Sequence, residues 1–264
     1  MISTEYNTND NQILRGEQDI MIYINAPIGV GKTSLAKILS MDLGVKAFLE
    51  DVTKIPYLSE FYADGSKSRD DKAFTLQIAF INYRFSQLKQ GLYLMEHDPK
   101  QRNVVYDSSL MSDRLMAGNL HDRGEFPDRQ FELYQALNRN MVTDVAAHPF
   151  NGIPDLVIYL DAPFELMIQQ INARGRDMET ADKSLVDYYK SVWEKYRSWY
   201  ASYYESPVIR IDMSKYDFVN NPDNQAEVLT QIEEKLRQLS LLSNDDAAKL
   251  RDNRRFLKVD DYHD

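Results

Sequence analysis

The sequence predicts an α/β domain in which five parallel strands form one sheet flanked by helices. Short apolar runs recur along the chain, several of them close on an aspartate, and the segments between them carry apolar residues at helical spacing. A strand buried on both faces reads as a continuous apolar run because neither side meets water. Strands that alternate with helices imply parallel pairing, since a parallel neighbour is reached only through a crossover.

Taken in order, Met1 to Gln18 is polar, rich in Asn, Asp and Thr, and without periodicity. It is expected to be a disordered leader, because its burial would not offset the entropy of ordering it. The first strand is Ile20 to Ile24, which stops at a turn containing Pro27 and Gly29. Leu35, Ile38, Leu39 and Leu43 then share a helical face closed by Gly44, at the position where glycine most often ends a helix. Val45 to Glu50 reads as the second strand, and Asn103 to Asp107, Leu156 to Asp161 and Pro207 to Asp212 as three more. The polar stretches Ala63 to Asp71 and Glu96 to Arg102 are expected to be surface loops. Helices around Phe74 to Leu92 and Gln130 to Val145 carry apolar and aromatic residues on more than one face, as in a buried or dimer-forming bundle. Residues 1–18 are thus a leader, 19–240 the domain, and 241–264 a charged tail expected to be a frayed helix followed by disorder.

Composition narrows the classes of partner. The 264 residues carry 31 Lys and Arg against 41 Asp and Glu, a formal net charge of −10. A general attraction to nucleic acid or to an anionic membrane is therefore not expected, and any anion must be held by a local basic cluster. There is no cysteine, which removes disulfides, thiolate metal sites and a cysteine nucleophile, and suits a reducing cytoplasm. No stretch is apolar for long enough to span a bilayer. The expectation is a soluble, cytoplasmic protein.

One segment states its chemistry directly. Asn25-Ala26-Pro27-Ile28-Gly29-Val30-Gly31-Lys32-Thr33-Ser34 follows an apolar strand and opens an amphipathic helix, the setting a P-loop requires. Gly29 and Gly31 can take backbone angles closed to other residues, so successive N–H groups turn inward toward phosphates, and the helix dipole adds positive potential. In this reading Ala26 to Ser34 cradle ATP, Lys32 reaches the β- and γ-phosphates, and the Thr33 hydroxyl faces Mg²⁺. Ala26 stands where the usual pattern has its first glycine.

A second basic feature follows the fourth strand, where Arg174-Gly175-Arg176 precede Glu179. In an acidic chain two arginines around a glycine form a local cationic patch that could clamp a transferring phosphoryl group. The same pair could equally be a solvated helix end, where the dipole favours cations.

From Ile20 to Leu239 these motifs together resemble the deoxynucleoside kinases, in particular the bacterial deoxyadenosine/deoxyguanosine kinase branch. The resemblance implies a P-loop kinase fold with an arginine lid, ATP-dependent phosphorylation of a deoxynucleoside 5′-hydroxyl in nucleotide salvage, and a homodimer. It implies that Glu50, in Phe48-Leu49-Glu50, is the general base, and that Tyr62 and Glu179 hold the sugar 3′-hydroxyl. Gln77, Arg84 and Asp113 take the positions of base contacts, with Gln77 and Arg84 about two helical turns apart and so on one face. Asp107 joins Thr33 near Mg²⁺, Arg174 and Arg176 with Lys32 stabilise charge, and Lys215-Tyr216-Asp217-Phe218 match the loop over the adenine of ATP.

Two positions depart from the family pattern. Its acid-Arg-Ser motif is here Asp107-Ser108-Ser109, and Gln170 stands in place of the first lid arginine. Arg102, Arg114 or Arg123 could substitute in space. The departures leave two readings beside the main one: a catalytically weak nucleotide-binding subunit of a hetero-oligomer, and, for lack of a second basic cluster, more remotely a nucleoside monophosphate kinase.

Overall fold

The computed structural model describes residues 19–63, 65–180 and 182–263; the leader expected over residues 1–18 lies outside them. The chain runs β1 (Ile20–Asn25), α1 (Lys32–Leu43), β2 (Lys46–Phe48), α2 (Leu58–Ala63), α3 (Gly65–His97), β3 (Asn103–Tyr106), α4 (Leu110–Asp122) and α5 (Asp128–Ala146). It continues with β4 (Leu156–Asp161), α6 (Phe164–Arg174), α7 (Asp177–Thr180), α8 (Leu185–Ser202), β5 (Val208–Asp212), α9 (Pro222–Gln238) and α10 (Asn244–Asp252).

The five strands form one sheet in the order β2-β3-β1-β4-β5, and every pair is parallel. β1 lies at the centre, with Ile22 opposite Val105 on one side and Leu156 on the other. All six of its residues are buried, as are all six of β4, which is why these two segments read as uninterrupted apolar runs. Parallel strands put all their carboxyl ends at one edge of the sheet, the edge where open α/β sheets bind ligands. The loops bearing Gly29, Glu50 and Asp107 leave from that edge, and Asp161 and Asp212 end their strands there.

The five expected strands are present, β3 and β5 each one residue shorter than expected and β2 shortened most. β2 ends at Phe48 instead of Glu50, because the Asp107 carboxylate takes the Glu50 N–H at 3.0 Å and draws the chain off the ladder. Gly44 does close α1, with a φ of 67° in the left-handed region. The two expected helical segments lie within α3 and α5, which pack on each other and on α4. α3 approaches the sheet closely at Gly91, where a Cβ would stand 1.8 Å from the Tyr106 hydroxyl.

Two expectations are corrected. The described residues of the Ala63–Asp71 stretch are not a loop: Ala63 ends α2 and Gly65 to Asp71 form the first turns of α3. Arg69 there is buried, donates from Nε and Nη2 to Glu125 at 2.9 and 3.1 Å, and lies 5.2 Å from the Tyr188 ring centre. The charge that made the segment read as solvated is thus paired with an acid distant in sequence. The tail is also ordered by contacts: Ser243 caps α10, Leu250 and Leu257 are buried, and Arg254 donates to Thr230 and pairs with Glu233. Among the described residues no helix is long and apolar enough to cross a membrane.

Candidate active site

The turn after β1 carries the strongest motif, and its geometry explains the residue types. Gly29 and Gly31 have φ of 80° and 97°, in the region that side chains resist. A Cβ on Gly29 would also stand 2.7 Å from Ile171 Cγ1 of α6, so the loop and the lid helix meet only because this position is bare. Lys32 begins α1 and donates from Nζ to the carbonyls of Ala26 and Pro27 at 2.9 and 3.0 Å, curling over its own loop. Burial pushes its ammonium down to about 8, with Glu50 and Asp107 opposing the shift.

The Ala26–Ser34 loop, apart from Pro27, lines one cleft of about 330 Å³ together with Glu50, Tyr62, Gln77, Arg84, Asp107, Asp113, Arg174, Arg176 and Glu179. Residues expected to share a site from widely separated segments are therefore neighbours. A chain of polar contacts crosses the cleft. Thr33 donates to Asp107 at 2.8 Å, Asp107 accepts the Glu50 N–H, and Arg84 donates to Glu50 and Asp113, both at 2.6 Å.

These contacts set the charge states. Burial works to raise the Glu50 carboxyl, but Arg84, with Lys32 and Arg176 beyond it, brings it below its ordinary value. Burial and the adjacent Glu50 charge raise Asp107. Asp113 is pushed up to about 6 by burial against the pull of Arg84. Three buried atoms in this group have no hydrogen-bond partner: Gln77 Oε1, Arg84 Nη1 and Asp113 Oδ2. Buried polar atoms are nearly always paired, so a donor and two acceptors left open on one wall are suited to a polar ligand.

At the lid, α6 ends in Arg174, Gly175 turns the chain, and Glu179 lies on α7. Arg174 Nη2 and Arg176 Nη1 both donate to the Glu179 carboxylate, at 2.5 and 3.3 Å. Tyr189 fixes the Glu179 carbonyl at 2.8 Å, and Tyr62, on α2, lines the same part of the cleft.

Some expected residues are placed elsewhere. Lys215, Tyr216 and Asp217 do not line the cleft. Tyr216 donates to Glu227 at 2.7 Å and Asp217 accepts from Asn220, while Phe218 alone turns in, its Cζ 3.5 Å from where a Gly31 Cβ would be. None of the three proposed substitutes for the missing arginine reaches the cleft. Arg102 pairs with Asp19, Arg114 lies 4.0 Å from Glu205, and Arg123 is held by Glu125. The guanidinium beside Glu50 is Arg84, and the Ser108 hydroxyl stands 3.5 Å from the same carboxylate oxygen.

Sequence reasoning missed the apolar and aromatic part of the lining, including Phe61, Phe80, Met116, Tyr188 and Tyr196. Phe80 had a signal, since it shares the helical face of Gln77 and Arg84 and lies 5.3 Å from the Arg84 guanidinium. The others resemble ordinary core residues in sequence.

A glycine-rich turn at the carboxyl edge of a five-stranded parallel sheet, with the arginine-bearing helix α6 packed on it, defines a P-loop kinase fold. The deoxynucleoside kinase family model matches residues 22–237, and the chain belongs to that family. It is 36% identical over 224 residues to a deoxyadenosine kinase of Lactobacillus acidophilus, covering 84% of this chain and 99% of that one. A deoxyguanosine kinase of the same organism is 37% identical over 227 residues, covering 85% and 94%. The structure of an M. mycoides deoxyadenosine kinase with bound dATP superposes with a TM-score of 0.65 at 22% identity, over 81% of this chain and 99% of that one.

Proposed function

We propose that the chain transfers the γ-phosphoryl group of ATP to the 5′-hydroxyl of a deoxynucleoside, with purine deoxynucleosides favoured, as a cytoplasmic enzyme of nucleotide salvage. The observation that carries this is the open donor and acceptor set Gln77 Oε1, Arg84 Nη1 and Asp113 Oδ2, buried in the same cleft as the phosphate loop. A nucleobase, planar and edged with donors and acceptors, satisfies such a set, and the aromatic wall of Phe80 and Tyr196 offers it apolar faces.

With the base there, Glu50 stands between acceptor and phosphate loop. Its carboxylate, kept ionised by Arg84, accepts the proton of the attacking hydroxyl and aims the oxygen at the γ-phosphorus. Lys32, which donates to two backbone carbonyls of its own loop, swings its ammonium to the phosphates, and Arg174 and Arg176 neutralise charge on the transferring group. Tyr62 and Glu179 hold the 3′-hydroxyl. Phe218, which packs against Gly31, covers the donor base.

Thr33 and Asp107 suit Mg²⁺: a hydroxyl and a carboxylate 2.8 Å apart are hard oxygen ligands of the kind that Mg²⁺ takes along with water and substrate phosphates. Bound there, the ion would neutralise charge on the β- and γ-phosphate oxygens. The net charge of −10 supports a partner set without nucleic acid or membrane. Exposed Tyr93, Leu133 and Val142 on α3 and α5 support a homodimer.

The test is phosphotransfer from labelled ATP with Mg²⁺ to each of the four deoxynucleosides and their monophosphates, with Lys32→Ala as blank. A Lys32-dependent 5′-monophosphate, formed best from a purine, is expected. Labelling of monophosphates alone would make this a nucleoside monophosphate kinase. Ser108 and Gln170 favour a second reading, a weak nucleotide-binding subunit of a hetero-oligomer, and that reading is left standing if ATP binds and no acceptor is labelled.

A further inference from the structure

The family match stops at residue 237, yet the chain beyond it is built against the phosphate loop's own supports. After α10 the chain turns back along α9 and α1. Arg254 donates to Ala226 and Thr230 of α9 at 3.3 and 2.8 Å and lies 3.9 Å from Asp42 of α1. The turn at Val259–Asp261 contacts α1, and Lys37 of α1 lies 5.7 Å above the Tyr262 ring. α1 is the helix whose first residues are Lys32 and Thr33, so this segment braces it from outside.

A second link runs through one buried side chain. Gln225, 2% exposed, donates from Nε2 to the carbonyls of Phe218 and Leu257, both at 2.9 Å, and its Oε1 accepts the Leu257 N–H at 2.7 Å. Phe218 is the residue that meets Gly31. The returning segment is thereby tied through Gln225 and Phe218 to the loop expected to hold the donor phosphates. All three of these bonds are inside the protein, so water replaces none of them cheaply when one is lost.

We infer that residues 254–262 form a brace for the donor-nucleotide cradle, and that Gln225 is the positioning residue through which the brace sets Phe218 against Gly31. The brace acts on the donor side alone: none of its residues lines the cleft wall that carries Gln77, Arg84 and Asp113. The inference rests on the reading of the Gly29–Ser34 loop as the ATP site.

Two variants test it: Gln225→Leu, which keeps volume and removes the three hydrogen bonds, and a chain ending at Asn253, which keeps α10. Equilibrium ATP binding is measured first on the unaltered chain, then KM for ATP and for the deoxynucleoside separately. The expected result is a rise in ATP Kd and ATP KM of about tenfold in each variant, with acceptor KM and kcat nearly unchanged. The combined variant should be no weaker than the worse single one, because both cut the same link. If the shortened chain fails to fold, Gln225→Leu decides alone. A folded Gln225→Leu protein with unchanged ATP affinity, or with donor and acceptor KM raised alike, overturns the brace. An unaltered chain that binds no ATP overturns the reading of the site itself.

Discussion

Arg84 Nη2 lies 2.6 Å from Glu50 Oε2 while its Nε lies 2.6 Å from Asp113 Oδ1, so one guanidinium joins the residue proposed as base to a residue proposed to read the nucleobase. Ser108, where the family pattern has arginine, leaves Arg84 as the guanidinium beside that carboxylate.

Removing Arg84 should therefore act on both chemistry and stability. Arg84→Met leaves the buried Asp113 and the part-buried Glu50 without their shared cation, and breaking a buried pair costs about 3–5 kcal/mol. Thermal unfolding should show the loss. In the folded variant the burial that Arg84 offsets is left opposed only by Lys32 and Arg176, so the Glu50 carboxyl rises and the acid limb of kcat/KM against pH moves to higher pH. An unmoved acid limb would separate Arg84 from the ionisation of Glu50. Glu50→Gln is expected to lower kcat by about 10²–10⁴-fold while ATP Kd is preserved.

The pairing also decides what Ser108 and Gln170 mean. Ser108 is buried beside a carboxylate oxygen already taken by Arg84, so an arginine placed there meets a like charge. Ser108→Arg with Gln170→Arg is expected to give no gain in turnover, the mark of a rebuilt site. A rise of tenfold or more, about 1.4 kcal/mol of barrier, would mark a weakened kinase that the two arginines repair.

Much of this site could be read before any coordinates, for a physical reason. Strand runs, the Gly-x-Gly-Lys-Thr turn and the Gly44 cap are local, and each is enforced by the backbone within a few residues of itself. What could not be read depends on partners distant in sequence. Nothing near Arg69 announces Glu125, and nothing near Leu257 announces Gln225, so both segments looked like solvated polar chain. The same holds for Arg84: its helical face was legible, but its bond to Glu50 needed the sheet to bring β2 to α3.

Lys32 gives a prediction with a definite sign. Burial lowers its pKa to about 8, so the ammonium begins to lose its proton as pH rises through that value. Phosphate anions favour the charged form and raise the bound-state pKa. Between the two values, nucleotide binding must take up a proton, and affinity should fall as pH climbs above about 8. Calorimetric titration in buffers of different ionisation enthalpy measures the uptake directly. Lys32→Arg, charged throughout, should show none, and equal uptake in both proteins would assign the proton to another group.

The contact between the phosphate loop and the lid helix is the last relationship that can be tested alone. Gly29 has a φ of 80°, and a Cβ there would meet Ile171 Cγ1 at 2.7 Å, so Gly29→Ala carries two separate penalties. One is backbone strain of about 1–3 kcal/mol, which tends to turn the N–H groups from their inward aim. The other is displacement of α6, which carries Arg174 at its end. Ile171→Ala removes the clash but not the strain, and as a buried large-to-small change it carries its own cost in stability. Gly29→Ala should raise ATP KM and also lower kcat, because cradle and lid are both disturbed. Adding Ile171→Ala should recover part of kcat while ATP KM stays high. If the double variant recovers both, strain in the loop is unimportant and the steric contact with α6 explains the glycine; if it recovers neither, the lid arginine is not positioned through this contact.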